Sequence, residues 1–390
     1  MITPVAAIDR LKTESAFEVL ARAAAIEAEG RSVINLGIGQ PDFRTPDHIV
    51  EAAIKALRDG QHGYTPAAGL LPLRQAVVED LGRRSGVTID PGRVLVVPGG
   101  KVTMFFAVLM FGEPGVKILY PDPGFPIYES IIAYSGATPV PIPLLEEDGF
   151  AFSPEKVLSL ITPKTRLVIL NSPANPTGGV TPPEAMDRLA EGLAAHPQVA
   201  ILSDEIYSRL LYDGRQHSSL LRYPELADQL ILLDGWSKTY AMTGWRLGYG
   251  IWPERLIARA THLAINCHSC VNAPTQFAGI AALEGPQDFV AEMAAAFTER
   301  RALVLRELNQ IAGISAIEPG GAFYAFPNIS GTGLSAKAME TGLLEEAGVA
   351  TIAGTSFGRH GEGYLRLSFA NSLDNIAEAM ARIRGWLSAR

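Results

Sequence analysis

Short apolar runs alternate along the chain with longer amphipathic stretches, and this alternation restricts the fold more than any other feature of the sequence. Short runs rich in Val, Ile and Leu are typical of strands that are buried on both faces of a parallel sheet. The predicted strands are residues 93–97, 116–120, 166–170, 199–203, 229–233 and 247–251. Because helical stretches separate them, the pattern predicts an α/β fold with a mostly parallel sheet flanked by helices.

The chain has 390 residues, which is enough for two domains. The helices predicted around the sheet are residues 46–58, 69–84, 101–111, 183–195 and 253–270. The last third differs: the predicted elements there are helix 287–308, strand 322–326, helix 336–346, strand 364–369 and a final helix. We therefore expect a large domain at 46–280 and a smaller α+β domain formed by 1–45 and 281–390.

Composition and charge exclude several classes of protein. The formal net charge is −8, and no basic run of the kind that binds nucleic acid is present. The most apolar run, 104–111, is shorter than the roughly 20 residues that cross a membrane. The two cysteines, Cys267 and Cys270, are too few for a disulfide framework or a four-ligand zinc site. We expect a cytoplasmic protein that binds small molecules and has no metal, membrane or nucleic-acid partner.

Polar residues follow several predicted strands, at the edge where open α/β sheets bind ligands. Lys238 lies in a Gly/Ser/Thr-rich segment after one strand, and Arg246 follows eight positions later. Such a lysine can form a Schiff base if its surroundings lower its pKa, and the arginine can neutralise a phosphate. The alternative is a surface loop with two solvated cations.

Asp204 ends another predicted strand, where a buried carboxylate needs a cationic partner such as a protonated ring nitrogen. The alternative is that it caps a following helix. The segment NSPANPTGG, at 171–179, predicts a rigid turn that leaves the side chains of Asn171 and Asn175 free to bind a ligand. Gly99 and Gly100 end a strand where a helix begins, and free backbone N–H groups there can bind phosphate.

Taken in order, these segments resemble the class I aminotransferases, which are fold-type I pyridoxal-phosphate enzymes of the aspartate, aromatic and alanine types. The matching segments are LGIGQPDFRTP, YTPAAGLLPLR, VPGGK, YPDPGFPIY, NSPANPTGG, SDEIY, SKTYAMTGWRLGY, PGGAFY and YLRLSFANS. The resemblance extends over nearly the whole chain. It implies that the large domain binds pyridoxal 5'-phosphate and that the enzyme moves an amino group between an L-amino acid and a 2-oxo acid by a ping-pong mechanism.

The resemblance implies a role for each matching position around the cofactor ring. Lys238 would hold the cofactor through a Schiff base, and Asp204 would pair with the pyridine nitrogen. Asn175 and Tyr207 would donate hydrogen bonds to the 3-oxygen, and Phe125 would stack on the ring. Lys238, Asp204 and Tyr207 form the implied catalytic set.

Other matching positions would bind the phosphate and the substrate. The implied phosphate ligands are Arg246, Ser237 and the backbone of Gly100 and Lys101, together with Tyr64 from the neighbouring subunit of a homodimer. Arg366 would bind the substrate α-carboxylate, helped by Asn175 and the Gly39 backbone. An arginine–carboxylate pair fixes the orientation of the substrate and so selects the Cα bond that breaks.

The chain departs from the family pattern at two positions. Gly235 stands where many relatives carry Ser or Thr, which implies that one phosphate hydroxyl is missing. Glu14 lies in the N-terminal segment where aspartate-preferring members use small hydroxyl residues, and an acid there can repel a second substrate carboxylate. The sequence therefore leaves the substrate pair open.

Two other functions fit parts of the pattern. A β-lyase uses the same sheet edge and lysine, and it would release pyruvate and ammonia without an oxo acid. A non-catalytic regulator would need a DNA-binding module, but the chain begins directly in the aminotransferase pattern.

Overall fold

The computed structural model describes residues 2–390, which form an α/β structure built around one large sheet. The strands are β1 (Ile34–Asn35), β2 (Val94–Val97), β3 (Lys117–Asp122), β4 (Thr138–Pro143), β5 (Thr165–Asn171), β6 (Ala200–Asp204), β7 (Leu230–Gly235), β8 (Gly248–Ile251), β9 (Tyr324–Ala325), β10 (Val349–Ala350), β11 (Ile352–Ala353) and β12 (Leu365–Ser368). The α-helices are α1 (Ser15–Ala28), α2 (Asp47–Arg58), α3 (Leu71–Ser85), α4 (Lys101–Phe111), α5 (Ile127–Ser135), α6 (Pro154–Ser159), α7 (Pro183–Ala194), α8 (Trp236–Thr239), α9 (Glu254–His268), α10 (Ala273–Glu284), α11 (Asp288–Leu308), α12 (Ala336–Glu345) and α13 (Leu373–Ser388).

The large sheet has seven strands in the order β2-β8-β7-β6-β5-β3-β4. All neighbouring pairs are parallel except those that β8 makes with β2 and β7. The apolar side chains of β6 alternate between two cores, with Ile201 in one and Leu202 in the other. Burial of each such side chain contributes roughly 1.5–3 kcal/mol, and the continuous apolar runs therefore form central strands. This confirms the predicted fold class.

The sheet register brings the polar strand ends together. Asn171, at the end of β5, is the register partner of Asp204 at the end of β6. Asp204 is in turn opposite Leu233 of β7, just before α8 and Lys238. Residues far apart in the sequence therefore meet at the carboxyl edge of the sheet, as the strand-end pattern predicts.

A smaller set of strands and helices follows in the C-terminal third. Strands β11, β12 and β9 form an antiparallel sheet, and β1 pairs in parallel with β10. Strand β1 therefore packs with the C-terminal part of the chain. Residues further toward the N-terminus contact the large-sheet part instead, because Arg10 donates to the carbonyl oxygens of Ala133 and Tyr134 near the end of α5. The predicted domain boundaries, after residue 45 and after residue 280, stay a prediction.

Several elements differ from the sequence-based expectations. Strand β4 was not predicted because prolines occupy three of its positions, which is tolerated at the edge of a sheet. Helices α5 and α10 were also not predicted. Helix α9 ends at His268, two residues before the predicted end, because Ser269 has a positive φ of 63°. Among the residues described, no helix combines the length and apolar character needed to cross a bilayer.

Candidate active site

A cavity of about 540 Å³ lies at the carboxyl edge of the large sheet. It brings together every predicted site residue except Tyr64. The predicted residues that line it are Gly39, Gly100, Lys101, Phe125, Asn175, Asp204, Tyr207, Ser237, Lys238, Arg246 and Arg366. Within residues 2–390, no cluster of three or more His, Cys, Asp or Glu side chains is arranged to hold a metal.

Lys238 projects into the cavity from α8, the short helix that follows β7. Its Nζ donates a hydrogen bond to the carbonyl oxygen of Gly39, 2.5 Å away. Burial, reinforced by the positive charge of Arg366, lowers the pKa of Lys238 to about 8. The neutral amine is therefore accessible near physiological pH, which is the condition for a nucleophilic lysine. The surface-loop interpretation of this residue is wrong.

Asp204 faces the cavity from the end of β6 and is 7% exposed. The Tyr128 hydroxyl donates to its Oδ2 at 2.7 Å, and the backbone N–H of Ile206 donates to Oδ1 at 3.3 Å. Burial raises the pKa of Asp204 to about 6, although the Tyr128 hydrogen bond opposes the rise. No Lys, Arg or His of residues 2–390 forms an ion pair with it, and no helix begins directly after it. The cap interpretation is wrong, and the carboxylate lacks a cation.

One of the two asparagines in the turn after β5 is hydrogen-bonded to the backbone of the protein itself. The Asn171 Nδ2 donates to the carbonyl oxygen of Asp204 at 3.0 Å, and Asn171 Oδ1 accepts from the Asn175 backbone N–H at 3.0 Å. The prediction that Asn171 is free to bind a ligand is therefore wrong, because both ends of its amide hold the turn against β6. Asn175 Oδ1 accepts a hydrogen bond from Arg366 Nη1 at 3.0 Å.

Arg366, on β12, brings a buried guanidinium to the same cavity and is 3% exposed. Its Nη2 donates to the carbonyl oxygen of Gly37, whereas its Nε has no hydrogen-bond partner. The guanidinium lies 4.7 Å from the ring centroids of Tyr324 and Phe357. Within residues 2–390 no carboxylate pairs with it. A buried cation of this kind is stabilised by an anionic ligand.

The turn between β2 and α4 forms an anion-binding corner. Gly99 has a φ of +91°, and Gly100 is the N-cap of α4, where the helix dipole favours negative charge. A Cβ atom at Gly99 would lie 2.1 Å from Nη2 of Arg246, so the guanidinium packs directly on the glycine backbone. Ser237 lines the same cavity.

Gly235 lacks the hydroxyl side chain for a steric reason. A Cβ atom there would lie 2.9 Å from the Gly248 Cα and 3.0 Å from the Leu247 carbonyl oxygen, both at the neighbouring strand β8. Because β7 and β8 approach so closely, there is no room at this position for a Ser or Thr side chain that could bind the phosphate.

Aromatic side chains shape the remaining walls. The hydroxyls of Tyr207 and Tyr324 are 2.7 Å apart, and burial raises the pKa of Tyr207 well above its usual value. Phe125 packs edge-to-face on Tyr128, with ring centroids 5.7 Å apart. Tyr64, by contrast, is 95% exposed and lies outside the cavity of its own chain.

Sequence reasoning missed two side chains that act within this site. Tyr128, which could be taken as a core aromatic, is the hydrogen-bond donor to Asp204. The resemblance gives no role to Tyr324, but its hydroxyl is hydrogen-bonded to that of Tyr207 and lies 2.3 Å from the position that a Cβ atom on Gly39 would occupy. The available signal was that both residues end matching segments, Tyr128 in YPDPGFPIY and Tyr324 in PGGAFY.

Comparison with known proteins gives the same family over nearly the full length. Residues 31–383 match the family described as aminotransferase class I and II. The aspartate aminotransferase of Geobacillus stearothermophilus is 38% identical over 97% of this chain and 98% of its own.

Solved structures agree. An aspartate aminotransferase from Rhizobium meliloti has a TM-score of 0.95 and 34% identity, covering 100% of this chain and 99% of its own. An aromatic aminotransferase from Pyrococcus horikoshii OT3 has a TM-score of 0.89 and 37% identity, covering 95% and 99%. The chain belongs to the class I and II aminotransferases, a pyridoxal-phosphate-dependent family of enzymes.

Proposed function

We propose that this enzyme transfers the amino group of an L-amino acid to a 2-oxo acid in a ping-pong sequence, with the site residues in the roles assigned above. The observation that carries the proposal is one cavity with three complementary charged groups. It contains an unpaired buried carboxylate at Asp204, a lysine of lowered pKa at Lys238 and an unpaired buried guanidinium at Arg366. Each group is costly when the cavity is empty and is compensated by a specific ligand group.

The residues present fit pyridoxal phosphate. Asp204 would keep a proton on the pyridine nitrogen, which supplies the cation that this carboxylate lacks. The phosphate dianion fits the corner formed by the backbone of Gly100 and Lys101 and the side chain of Arg246, where a helix N-terminus and a guanidinium meet. Ser237 would add a hydroxyl to that corner.

The ring itself would be held by three further side chains. Phe125 would cover one face, and Asn175 and Tyr207 would hydrogen-bond the 3-oxygen. All three line the cavity. Tyr207 also accepts or donates a hydrogen bond with Tyr324, which holds its hydroxyl in place.

The chain's own groups perform the steps around the substrate. When bound, the cofactor supplies an electron sink for the pair released from the substrate Cα–H bond. Arg366 would bind the α-carboxylate beside the Gly39 backbone, and this orients the Cα–H bond. The neutral amine of Lys238 would accept the Cα proton on Nζ as a general base.

We further propose a cytoplasmic homodimer. Tyr64, which is 95% exposed, would extend its hydroxyl to the phosphate in the partner subunit. An exposed tyrosine in the loop between α2 and α3 has no role in its own cavity, and this supports an intersubunit one. Both cysteines, Cys267 and Cys270, are free, which fits a reducing compartment.

The test is the Lys238→Ala variant. Wild-type protein with pyridoxal phosphate should be yellow and should lose that colour on mixing with an amino acid, whereas the variant should do neither. Lys156→Ala, which removes an exposed lysine paired with Asp148, is the control and should behave as wild type. Sustained release of pyruvate and ammonia from cystathionine without an oxo acid would contradict the proposal in favour of a β-lyase.

A further inference from the structure

The charged side chains that line the cavity are unequal in number. The cations are Lys101, Lys238, Arg246 and Arg366, and the carboxylates are Asp204 and Glu14. Under the proposed function, three cations and Asp204 are already assigned to the cofactor and the substrate α-carboxylate. Only Lys101 and Glu14 are left to meet the substrate side chain.

These two residues form an ion pair with each other. Lys101 Nζ lies 3.2 Å from Glu14 Oε2, and the Glu14 side chain is 21% exposed. Glu14 is the N-cap residue of α1, yet its side chain makes no capping hydrogen bond. Its carboxylate is therefore turned away from its own helix and toward the cavity.

The pair neutralises the one cation that could receive a second substrate carboxylate. A distal carboxylate that reached Lys101 would also approach the like charge of Glu14. The cavity lining also includes the apolar side chains of Ala16, Phe17 and Ile38. Lys101 Nζ also lies 5.1 Å from the Phe125 ring centroid, which places the pair at the aromatic side of the cavity.

We propose that Glu14 sets the substrate class of this enzyme, by occupying Lys101 so that the cavity accepts amino acids and 2-oxo acids with uncharged side chains and disfavours dicarboxylates. This inference rests on the proposed function, because it assigns the other three cations to the cofactor and the α-carboxylate. Removal of the Glu14 charge should free Lys101 and turn the preference toward dicarboxylates.

The experiment compares holoenzymes of the wild type, Glu14→Gln and Glu18→Gln. Glu18 lies in the same helix, is exposed and does not line the cavity, so it controls for the loss of one negative charge. Single-turnover conversion is recorded with L-methionine and L-phenylalanine against L-aspartate and L-glutamate. The wild type and Glu18→Gln should favour the uncharged pair. Glu14→Gln should raise the relative kcat/KM for the acidic pair by about tenfold or more, as expected for removal of a like charge.

A binding measurement separates recognition from turnover. The Kd of each holoenzyme for succinate and for butyrate is measured by calorimetry. Glu14→Gln should bind succinate more tightly by a similar factor, while its butyrate Kd stays unchanged. The gain should disappear in the double variant Glu14→Gln/Lys101→Met, because no cation then remains for the second carboxylate.

Failure of the substrate assignment and failure of the proposed function give different results. A wild-type enzyme that converts aspartate or glutamate best, with no change in Glu14→Gln, overturns the substrate assignment and leaves the aminotransferase intact. A holoenzyme that no amino acid converts overturns the proposed function itself.

Discussion

Asp204 and Lys238 lie at positions that disfavour the charged forms of their side chains. Burial raises the pKa of the carboxyl to about 6 and lowers that of the amine to about 8. Both shifts disfavour the charged form in the chain without cofactor. Such residues reduce the stability of the fold at neutral pH, and their presence in one cavity fits a site that is organised for a ligand.

Replacement of Asp204 by Asn should therefore stabilise the protein without cofactor. Because the folded pKa is raised, this group stabilises the fold below the unfolded pKa of about 3.9 and loses that effect as pH rises through about 6. At pH 8, Asp204→Asn should raise the free energy of unfolding by roughly 1–3 kcal/mol. Urea denaturation of the cofactor-free protein measures this, with Asp187→Asn as control, since exposed Asp187 also accepts a tyrosine hydroxyl. A loss of stability in Asp204→Asn would contradict the argument.

Tyr128→Phe should change how cofactor affinity depends on pH. The Tyr128 hydroxyl favours the ionised form of Asp204, so its removal raises the Asp204 pKa further. Affinity for pyridoxal phosphate should then begin to fall at a higher pH as the solution is acidified. A displacement of about 1 pH unit is expected, because a hydrogen bond to a charged group contributes about 1.5 kcal/mol.

The matched variant is Tyr223→Phe, which removes a similar 2.6 Å hydrogen bond to surface Asp187. Its affinity profile, measured by fluorescence titration from pH 5 to 8 (a range of about one unit or more either side of the Asp204 midpoint), should overlay that of the wild type. Identical profiles for all three proteins would show that Tyr128 has no influence on Asp204.

At the scale of elements, the phosphate corner depends on a turn and on the spacing of two strands. Gly99 adopts a φ of +91° at the end of β2, and the guanidinium of Arg246 rests against it. Gly235 on β7 leaves room for the backbone of β8. Glycine is required at both positions by close contact, and at Gly99 also by the left-handed conformation.

Gly99→Ala should weaken cofactor binding more than it weakens the fold. The new methyl group would meet the Arg246 guanidinium and displace it, so the Kd for pyridoxal phosphate should rise by about tenfold or more, the effect of losing one charged contact. Gly115→Ala is the control, because Gly115 has a φ of +93° but nothing within 4 Å of its Cβ position. Both variants should lose stability to a similar extent, and a similar loss of affinity in both would assign the effect to backbone strain.

At the scale of the whole molecule, the cavity is assembled from distant segments. Asp204 ends a strand of the large sheet, Lys238 lies on the helix after the next strand, Arg366 comes from the C-terminal sheet, and Gly39 precedes α2. The proposed Tyr64 contact would add a second chain. An isologous dimer would place two such sites across one interface.

Subunit mixing tests this arrangement. Lys238→Ala and Tyr64→Ala chains should each be impaired at limiting cofactor, but a heterodimer of the two would contain one site with neither substitution. Refolding an equal mixture should therefore restore roughly a quarter of the native sites, as expected for random assembly of a two-fold dimer. Activity no greater than the sum of the parents, with light scattering showing dimers, would place Tyr64 outside the neighbouring site.

The sequence by itself determined the elements and the edge at which the ligand binds. Continuous apolar runs predicted six of the seven strands of the large sheet, and the resemblance to the class I aminotransferases implied eleven residues that line one cavity. The local hydrophobic pattern indicates whether a strand is buried on one face or on both. The edge that binds the ligand follows from strand direction, because open α/β sheets bind ligands at the carboxyl ends of their strands. The edge strand β4, with its prolines, lacks that signal.

Only the tertiary structure decided which side chains pair. Tyr128 contacts Asp204, 76 positions away in the sequence, and Glu14 contacts Lys101, 87 positions away. The Asn171 amide donates a hydrogen bond to the backbone of β6. These contacts depend on how elements pack and not on the residues that flank them in sequence. Periodicity therefore describes the burial of each element, whereas the partners of a polar side chain emerge only when the elements meet.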